Sequence, residues 1–227
     1  MKIILLVLFD IGANKGDATV AGLNLGYKVI AIEPSRMYRE LIKNFIYNPN
    51  VIPLKYAVSD KDYDRVEFYE AAEDGLSTLN KDWLTADTMP YAGKEFWTTQ
   101  ATTITLDTLA NKYGEPDLIK IDVEGAEWSV FKGMTRKMGV IAFEWTYATI
   151  AEHSKQLDYL ASLGYTEFSI RFIENHLQFP PDDDWLPIDF ADSLQGQIDA
   201  RARAWESHGW KVANLRPTAD VGMLWVR

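Results

Sequence analysis

The sequence predicts an α/β fold: a doubly wound, mostly parallel sheet of about seven strands whose last strand runs antiparallel. Three observations predict it. Near-continuous apolar runs such as "IILLVL", "KVIAI" and "VIAFEW" alternate with segments of helical periodicity, the pattern of strands covered on both faces by crossover helices. The first run leads straight into a glycine loop, "DIGANKG". The closing run "VGMLWVR" follows the sixth strand without a clear matching crossover, which argues for antiparallel pairing beside its neighbours. Ligands of such a sheet bind at the carboxyl ends of its strands.

Each element follows from local chemistry. Ile3–Phe9 reads as the first strand. It is far shorter than the roughly twenty apolar residues of a membrane helix, and it lacks the small-residue cleavage site of a secretory signal. Asp17–Leu25 reads as a helix stopped by Gly26. Lys28–Glu33 is the second strand. Ser35 caps a helix whose apolar face carries Met37, Leu41 and Phe45 at four-residue spacing, and Asn48-Pro49-Asn50 breaks it. Val51–Val58 is the third strand. Two extended pieces, Val66–Tyr69 and Phe96–Thr103, then flank a polar excursion.

The alternation resumes with a helix over Leu106–Tyr113, a fourth strand in "DLIKIDVEG", a short helix in "AEWSVFKGM" and a fifth strand in "VIAFEW". Leu157, Leu160 and Leu163 line a helix over Ile150–Leu163, ended by Gly164. Glu167–Ile173 is the sixth strand. An irregular stretch, "ENHLQFPPDDDWLPIDF", precedes a helix near Ser193–Ser207 and the last strand.

The bulk properties bound the function. The chain has 227 residues, 47% hydrophobic and 25% charged, which fits one globular domain. Its formal net charge of -10 argues against a surface that neutralises nucleic-acid phosphates or anionic lipid. Cysteine is absent, which excludes a disulfide framework and a thiolate zinc site. With no targeting segment in view, the expected location is cytoplasmic and no membrane insertion is expected.

The glycine loop carries the first functional signal. Gly12 permits a tight turn, Gly16 a close backbone approach to a ligand, and the next helix offers free N–H groups. The G-x-x-x-G spacing is neither the G-x-G-x-x-G of dinucleotide enzymes nor a P-loop. Asp10 and Asn14 sit in or beside the loop, and Glu33 closes the second strand about twenty residues on, where an acid accepts ribose hydroxyls. A ligand with a ribose and a cationic near end meets these demands, and S-adenosylmethionine is such a ligand. Taken singly, each glycine is also an ordinary turn residue and Glu33 a solvated strand end.

"FDIGANKGDAT", "VIAIEPS", "YAVSD", "TLDTL" and "DLIKIDVEGAEWSVFKGM" occur in this order. Together they resemble the FkbM family of S-adenosylmethionine-dependent methyltransferases, over roughly Phe9 to Trp145. The resemblance implies a Rossmann-like class I methyltransferase fold with S-adenosylmethionine as cofactor. It implies Asp10, Gly12, Asn14 and Gly16 around the methionine end, Glu33 with Ser35 at the ribose, and Ala57, Val58, Ser59 and Asp60 along the adenine. Asp60 reads equally as a turn residue ahead of Lys61-Asp62.

"KIDVEGAEW" holds Asp122, Glu124 and Glu127. Strand alternation puts Asp122 and Glu124 on one side. Methyl transfer to an alcohol needs in-line alignment and removal of the hydroxyl proton. Asp122 is the first candidate base and Glu124 the second, with Asp122 also near the cofactor. Glu124 reads alternatively as a residue that ties the loop, and Glu127 as a helix cap or a solvated acid. Glu144 lies in an apolar strand, costly unless paired or at the strand end, and is a candidate for the substrate site. His153 is either a base near neutral pH or a surface or capping residue. Two or more of these carboxylates could hold a magnesium ion, but no clear metal-ligand spacing appears and no metal is expected.

Two regions are candidate acceptor selectors, near residues 70–100 and 174–195. The first holds Ser77, Thr78, Trp83, Tyr91, Phe96 and Trp97. The second holds His176, Gln178, Phe179, Asp182, Asp183, Asp184 and Trp185. Aromatic rings flanked by acids and amides suit a carbohydrate; they equally fill a loop's own small core.

The reading is one domain over 1–227 that methylates a hydroxyl of a sugar or glycan, with no nucleic-acid partner. The rivals are a non-catalytic binding or assembly protein of the same fold and an NAD-dependent dehydrogenase. The family usually has a helical segment ahead of the first strand, which here begins almost at Met1. Excision from a larger glycan-modifying protein, or completion of the site by another copy of the chain, fits that departure.

Overall fold

In a computed structural model, residues 6–89, 91–146, 149–171, 177–188, 194, 196 and 221–227 are described. The chain runs β1 (Val7–Ile11), α1 (Asp17–Asn24), β2 (Lys28–Ile32), α2 (Tyr38–Phe45), β3 (Val51–Leu54), β4 (Ala57–Val58) and β5 (Arg65–Ala71). It continues with α3 (Asp82–Thr85), β6 (Phe96–Ile104), α4 (Leu106–Tyr113), β7 (Leu118–Ile121), α5 (Glu127–Lys132) and β8 (Val140–Thr146). The last elements are α6 (Ile150–Ser162), β9 (Glu167–Arg171), β10 (Leu186–Pro187) and β11 (Val221–Val226).

The main sheet has the order β10-β9-β11-β8-β7-β1-β2-β3. β1 pairs in parallel with β2 on one side and β7 on the other. Strand order therefore reverses at β1, and the crevice between the β1 and β7 carboxyl ends is the switch point where such sheets bind ligands. β11 is the expected antiparallel strand, and it lies between β8 and β9. β10 adds a two-residue antiparallel edge to the seven expected strands. Pro53 sits in β3, an edge strand, where its missing N–H is tolerated.

Alternation along β1 sends Leu8 to one face and Phe9 and Ile11 to the other, all essentially without exposure. Leu8 packs with Val29, Leu41, Phe45, Leu118, Leu177 and Trp225, so α1, α2 and the segment around Leu177 cover that face. Phe9 and Ile11 pack with Leu106, Leu109, Val130, Phe131, Leu157 and Leu160 from α4, α5 and α6. α4 starts where its sequence says: the Thr105 hydroxyl accepts the Thr108 N–H at 3.1 Å.

Some boundaries differ from the sequence reading. Val51–Val58 is not one strand: β4 leaves the main sheet and pairs in parallel with β6, while β5 pairs antiparallel with β6. The excursion between β5 and β6 builds its own core of Ala71, Leu76, Trp83 and Leu84, joined by Tyr69, Met89, Tyr91 and Phe96. The expected helix near Ser193–Ser207, the end of the sixth strand at Phe172 and Ile173, and His176 lie outside or almost wholly outside the described residues. Among those described, no helix is long and apolar enough to cross a membrane.

Candidate active site

A cavity of about 300 Å³ opens at the carboxyl ends of β1, β2 and β7. Gly12, Asn14, Glu33, Ser35, Ala57 and Val58 wall one side, and Asp74 to Leu79 with Tyr91 wall the other. Lys120, Asp122 and Glu124 line it as well.

The glycine loop owes its shape to internal packing. Gly12 has a φ of 76°, and a Cβ there would lie 1.8 Å from the Asp122 carbonyl oxygen. Gly16 has a φ of 106°, and its Cβ would strike the Phe45 ring at 2.2 Å. Gly16 is thus required by α2 and does not line the cavity, contrary to the expected close approach to a ligand. Asn14 is held in the left-handed region at φ 51°.

Glu33 ties the loop to its own strand end. One carboxylate oxygen accepts the Asn14 N–H and the other the Ser35 N–H, both at 2.8 Å. Burial raises its pKa, and those hydrogen bonds with Ser35 and Asn14 oppose the rise. The Ser35 hydroxyl accepts the Met37 N–H at 3.1 Å.

Asp10 is fully buried beneath the loop, outside the cavity lining. It accepts the Thr19 hydroxyl at 2.6 Å and faces the Lys120 ammonium at 3.6 Å. Lys120 is the residue that the sequence reading missed. Its signal was a lone cation inside the apolar run "LIKI". Its ammonium donates to the Gly12 carbonyl at 3.1 Å and pairs with Asp122 at 3.2 Å. Burial alone would lower its pKa, but Asp122 and Asp10 raise it, so it stays protonated. One buried cation thus joins the first strand, the loop and Asp122 beyond the end of β7.

Ala57 and Val58 line the cavity; Ser59 and Asp60 do not. The Ser59 hydroxyl donates to Asp60 at 3.2 Å, and Asp60 pairs with Lys132 at 3.4 Å.

The carboxylates of Asp122, Glu124 and Glu144 converge, with one ligand atom of each within 4.8 Å of the others. Convergence does not come from strand alternation, because β7 ends at Ile121. Glu124 instead sits in a left-handed turn at φ 58°, followed by Gly125 at φ 80°. Glu127 holds that turn: its carboxylate accepts the Val123 and Gly125 N–H groups, each at 3.3 Å. Only 4% of Glu127 is exposed, and burial pushes its pKa up to about 7, with the charge of Asp122 adding to the rise.

His153 is buried and does not line the cavity. Its Nε2 accepts the Thr146 N–H at 3.2 Å, and its Nδ1 meets the Gln156 amide oxygen at 2.9 Å. Burial lowers its pKa to about 4, which keeps the ring neutral. Trp185 is also away from the cavity. The Arg227 guanidinium lies 4.3 Å from its ring centre, beside Glu167 at the amino end of β9. Phe179 packs on Trp225 on the α1 face. In the first selector region, Ser77, Thr78 and Tyr91 do reach the cavity wall.

The residues present fit a nucleoside cofactor with a polar amino-acid end. Asn14 faces the cavity, and its side-chain oxygen has no hydrogen-bond partner among the described residues. Glu33 sits at the end of β2, the ribose position of this kind of sheet. A wholly parallel dinucleotide-binding sheet has no counterpart to β11, an antiparallel strand wedged between two strands that run together. Sheet and site define a Rossmann-like class I methyltransferase.

The sequence matches the Methyltransferase FkbM domain over residues 10–167, more than half of the chain. The chain belongs to that family, whose members take their methyl group from S-adenosylmethionine. No curated protein matches it. Similar solved structures include precorrin-6y C5,15-methyltransferase from Geobacter metallireducens, at 13% identity and TM-score 0.42, covering 98% of this chain and 80% of that one. Another is precorrin 8w decarboxylase from Methanobacterium thermoautotrophicum, at 11% identity and TM-score 0.45, covering 98% and 82%. A third is a SAM dependent methyltransferase from Archaeoglobus fulgidus, at 11% identity and TM-score 0.39, covering 98% and 86%.

Proposed function

We propose that this methyltransferase transfers the methyl group to a hydroxyl of a sugar or glycan. The observation that carries the reading is the convergence of Asp122, Glu124 and Glu144 beside a cavity wall bearing Ser77, Thr78 and Tyr91. Carboxylates accept from hydroxyls, and hydroxyl side chains both donate and accept, which suits a polyhydroxylated acceptor. The net charge of -10 supports an acceptor that is not a nucleic acid.

When bound, S-adenosylmethionine supplies an electrophilic methyl on a sulfonium centre and leaves as S-adenosylhomocysteine. Asn14 and Glu33 hold its amino-acid end and ribose, and Ala57 and Val58 flank the adenine. Asp10, Gly16, Ser59 and Asp60 act from behind, by holding the loops that make these contacts, while Ser35, on the cavity wall, ties its own turn through the Met37 N–H. Asp122, which pairs with Lys120 at 3.2 Å, accepts the acceptor's hydroxyl proton. Glu124 lines the cavity at the point of transfer, and Glu144 lies outside the lining.

The test is label transfer from S-[methyl-³H]adenosylmethionine to a panel of neutral glycosides, with the methyl ether identified by mass. Asp122→Asn is expected to bind S-adenosylhomocysteine within about threefold of the wild type and to slow transfer by roughly 10²–10⁴-fold. Full transfer by that variant excludes Asp122 as the base, and label appearing on nitrogen or carbon overturns hydroxyl methylation.

A further inference from the structure

The turn that carries Glu124 is built by two parts of the chain far apart in sequence. Glu124 and Gly125 both hold positive φ, at 58° and 80°. For Glu124 that conformation is strained and must be maintained by its surroundings. The excursion between β5 and β6 supplies the outside of the mould. The Thr78 hydroxyl donates to the Glu124 carbonyl at 2.8 Å, and the Asn80 amide donates to the Gly125 carbonyl at 3.0 Å.

Trp83 does more. Its ring lies over Gly125 so closely that a Cβ there would meet it at 2.5 Å. Its indole N–H donates to the Glu124 carboxylate at 2.8 Å. At 1% exposure the indole has no freedom to follow a moving acid, so the acid is fixed to the indole. The excursion is itself anchored to the ribose side of the cavity. The Arg36 guanidinium donates to the Ala71 and Ala72 carbonyls at 2.6 and 2.9 Å, pairs with Asp74 at 2.9 Å and lies 5.3 Å from the centre of the Trp97 ring.

We propose that Trp83 is a positioning residue for methyl transfer: its indole N–H sets the Glu124 carboxylate on the cavity wall against the methyl group of the bound donor. The proposal rests on the donor reading above. An oxygen fixed there holds the polarised methyl hydrogens in line for the acceptor, and a freely rotating one does not. Trp83 thereby makes an aromatic of the excursion part of the transfer machinery and not a surface for stacking sugar.

The experiment compares wild type, Trp83→Phe, Glu124→Gln and the double variant. Phenylalanine keeps an aromatic ring over Gly125 and removes only the donor. Calorimetry with S-adenosylhomocysteine is expected to give affinities within about threefold in all four. With S-[methyl-¹³C]adenosylmethionine bound, each single variant is expected to move the methyl resonance from its wild-type position. The double variant is expected to move it no further than Glu124→Gln. An unmoved resonance in either single variant, or additive shifts in the double, overturns the proposal. The ¹⁵N-indole cross-peak of Trp83 answers independently of how Trp83→Phe folds: it must shift in Glu124→Gln, and constancy there removes the hydrogen bond. Failure of the wild type to bind S-adenosylhomocysteine, by contrast, overturns the donor reading beneath it.

Discussion

The two halves of the cavity are held by different means. On the donor side, Glu33 grips two backbone N–H groups, 2 and 19 residues away in sequence, and the glycines are required by strand and helix packing. On the acceptor side, the ties from Trp83 and Thr78 to Glu124 and from Asn80 to Gly125 each span more than forty residues. The first half is a property of strand ends and short motifs. The second is a property of tertiary contacts made by an excursion with its own core. Sequence can therefore vary in the excursion's cavity wall without disturbing the donor half, which is how one fold serves many acceptors.

Lys120 joins the halves, and removing it is the harshest way to break the comparison. Lys120→Met leaves Asp10 buried without its cation and frees both the Gly12 carbonyl and Asp122. Losing one partner of a buried pair costs about 3–5 kcal/mol. The expected result is a melting temperature lower by roughly 10 °C, together with lost S-adenosylhomocysteine binding. A variant that melts and binds like the wild type would show that the halves stand independently.

Glu127 sharpens the comparison through pH. Its pKa is 4.5 ordinarily and about 7 when folded, so between those values the folded state holds the extra proton. Stability then falls as pH rises through that window, by a total on the order of 3 kcal/mol. His153 acts oppositely: folded at about 4 against 6.5, it makes stability rise with pH between them. The two slopes offset each other in the wild type. Glu127→Gln is expected to remove the falling one, so that the variant's stability climbs more steeply from pH 4.5 to 7 in urea titrations. Parallel curves for variant and wild type would place the Glu127 titration elsewhere.

Trp185 marks the smallest expected effect. Trp185→Leu loses a cation–π contact with Arg227, worth about 0.5–1 kcal/mol at an exposed site. S-adenosylhomocysteine affinity and transfer rate are expected to stay within twofold. A tenfold loss of transfer would bring this end of the sheet into the acceptor site.

These contrasts explain what the sequence made legible. The strand-helix alternation, the span of α4, the antiparallel β11 and the switch-point site follow from periodicity and short-range chemistry. Glu33 was legible as the acid that closes the second strand, but its hold on the Asn14 and Ser35 N–H groups was not. Asp122 and Glu124 were legible as residue types, but the reason first given, strand alternation, fails where β7 stops at Ile121 and the left-handed turn begins. Glu127 read as a cap or a solvated acid, but it is buried and holds the turn through the Val123 and Gly125 N–H groups. Trp83 and Trp185 are indistinguishable by composition, yet one is locked against a site carboxylate and the other lies by the amino end of β9. Only long-range packing separates them, and no window of sequence contains it.

The central claim is that the cavity at the β1–β7 switch point holds S-adenosylmethionine through Asn14 and Glu33. The most direct test is calorimetry of S-adenosylhomocysteine against wild type and Glu33→Ala, with NAD as the control ligand. The account predicts micromolar binding to the wild type, a loss of roughly 30–100-fold in Glu33→Ala from the two hydrogen bonds removed, and no binding of NAD. Equal affinity in the two proteins, or preference for NAD, would contradict it.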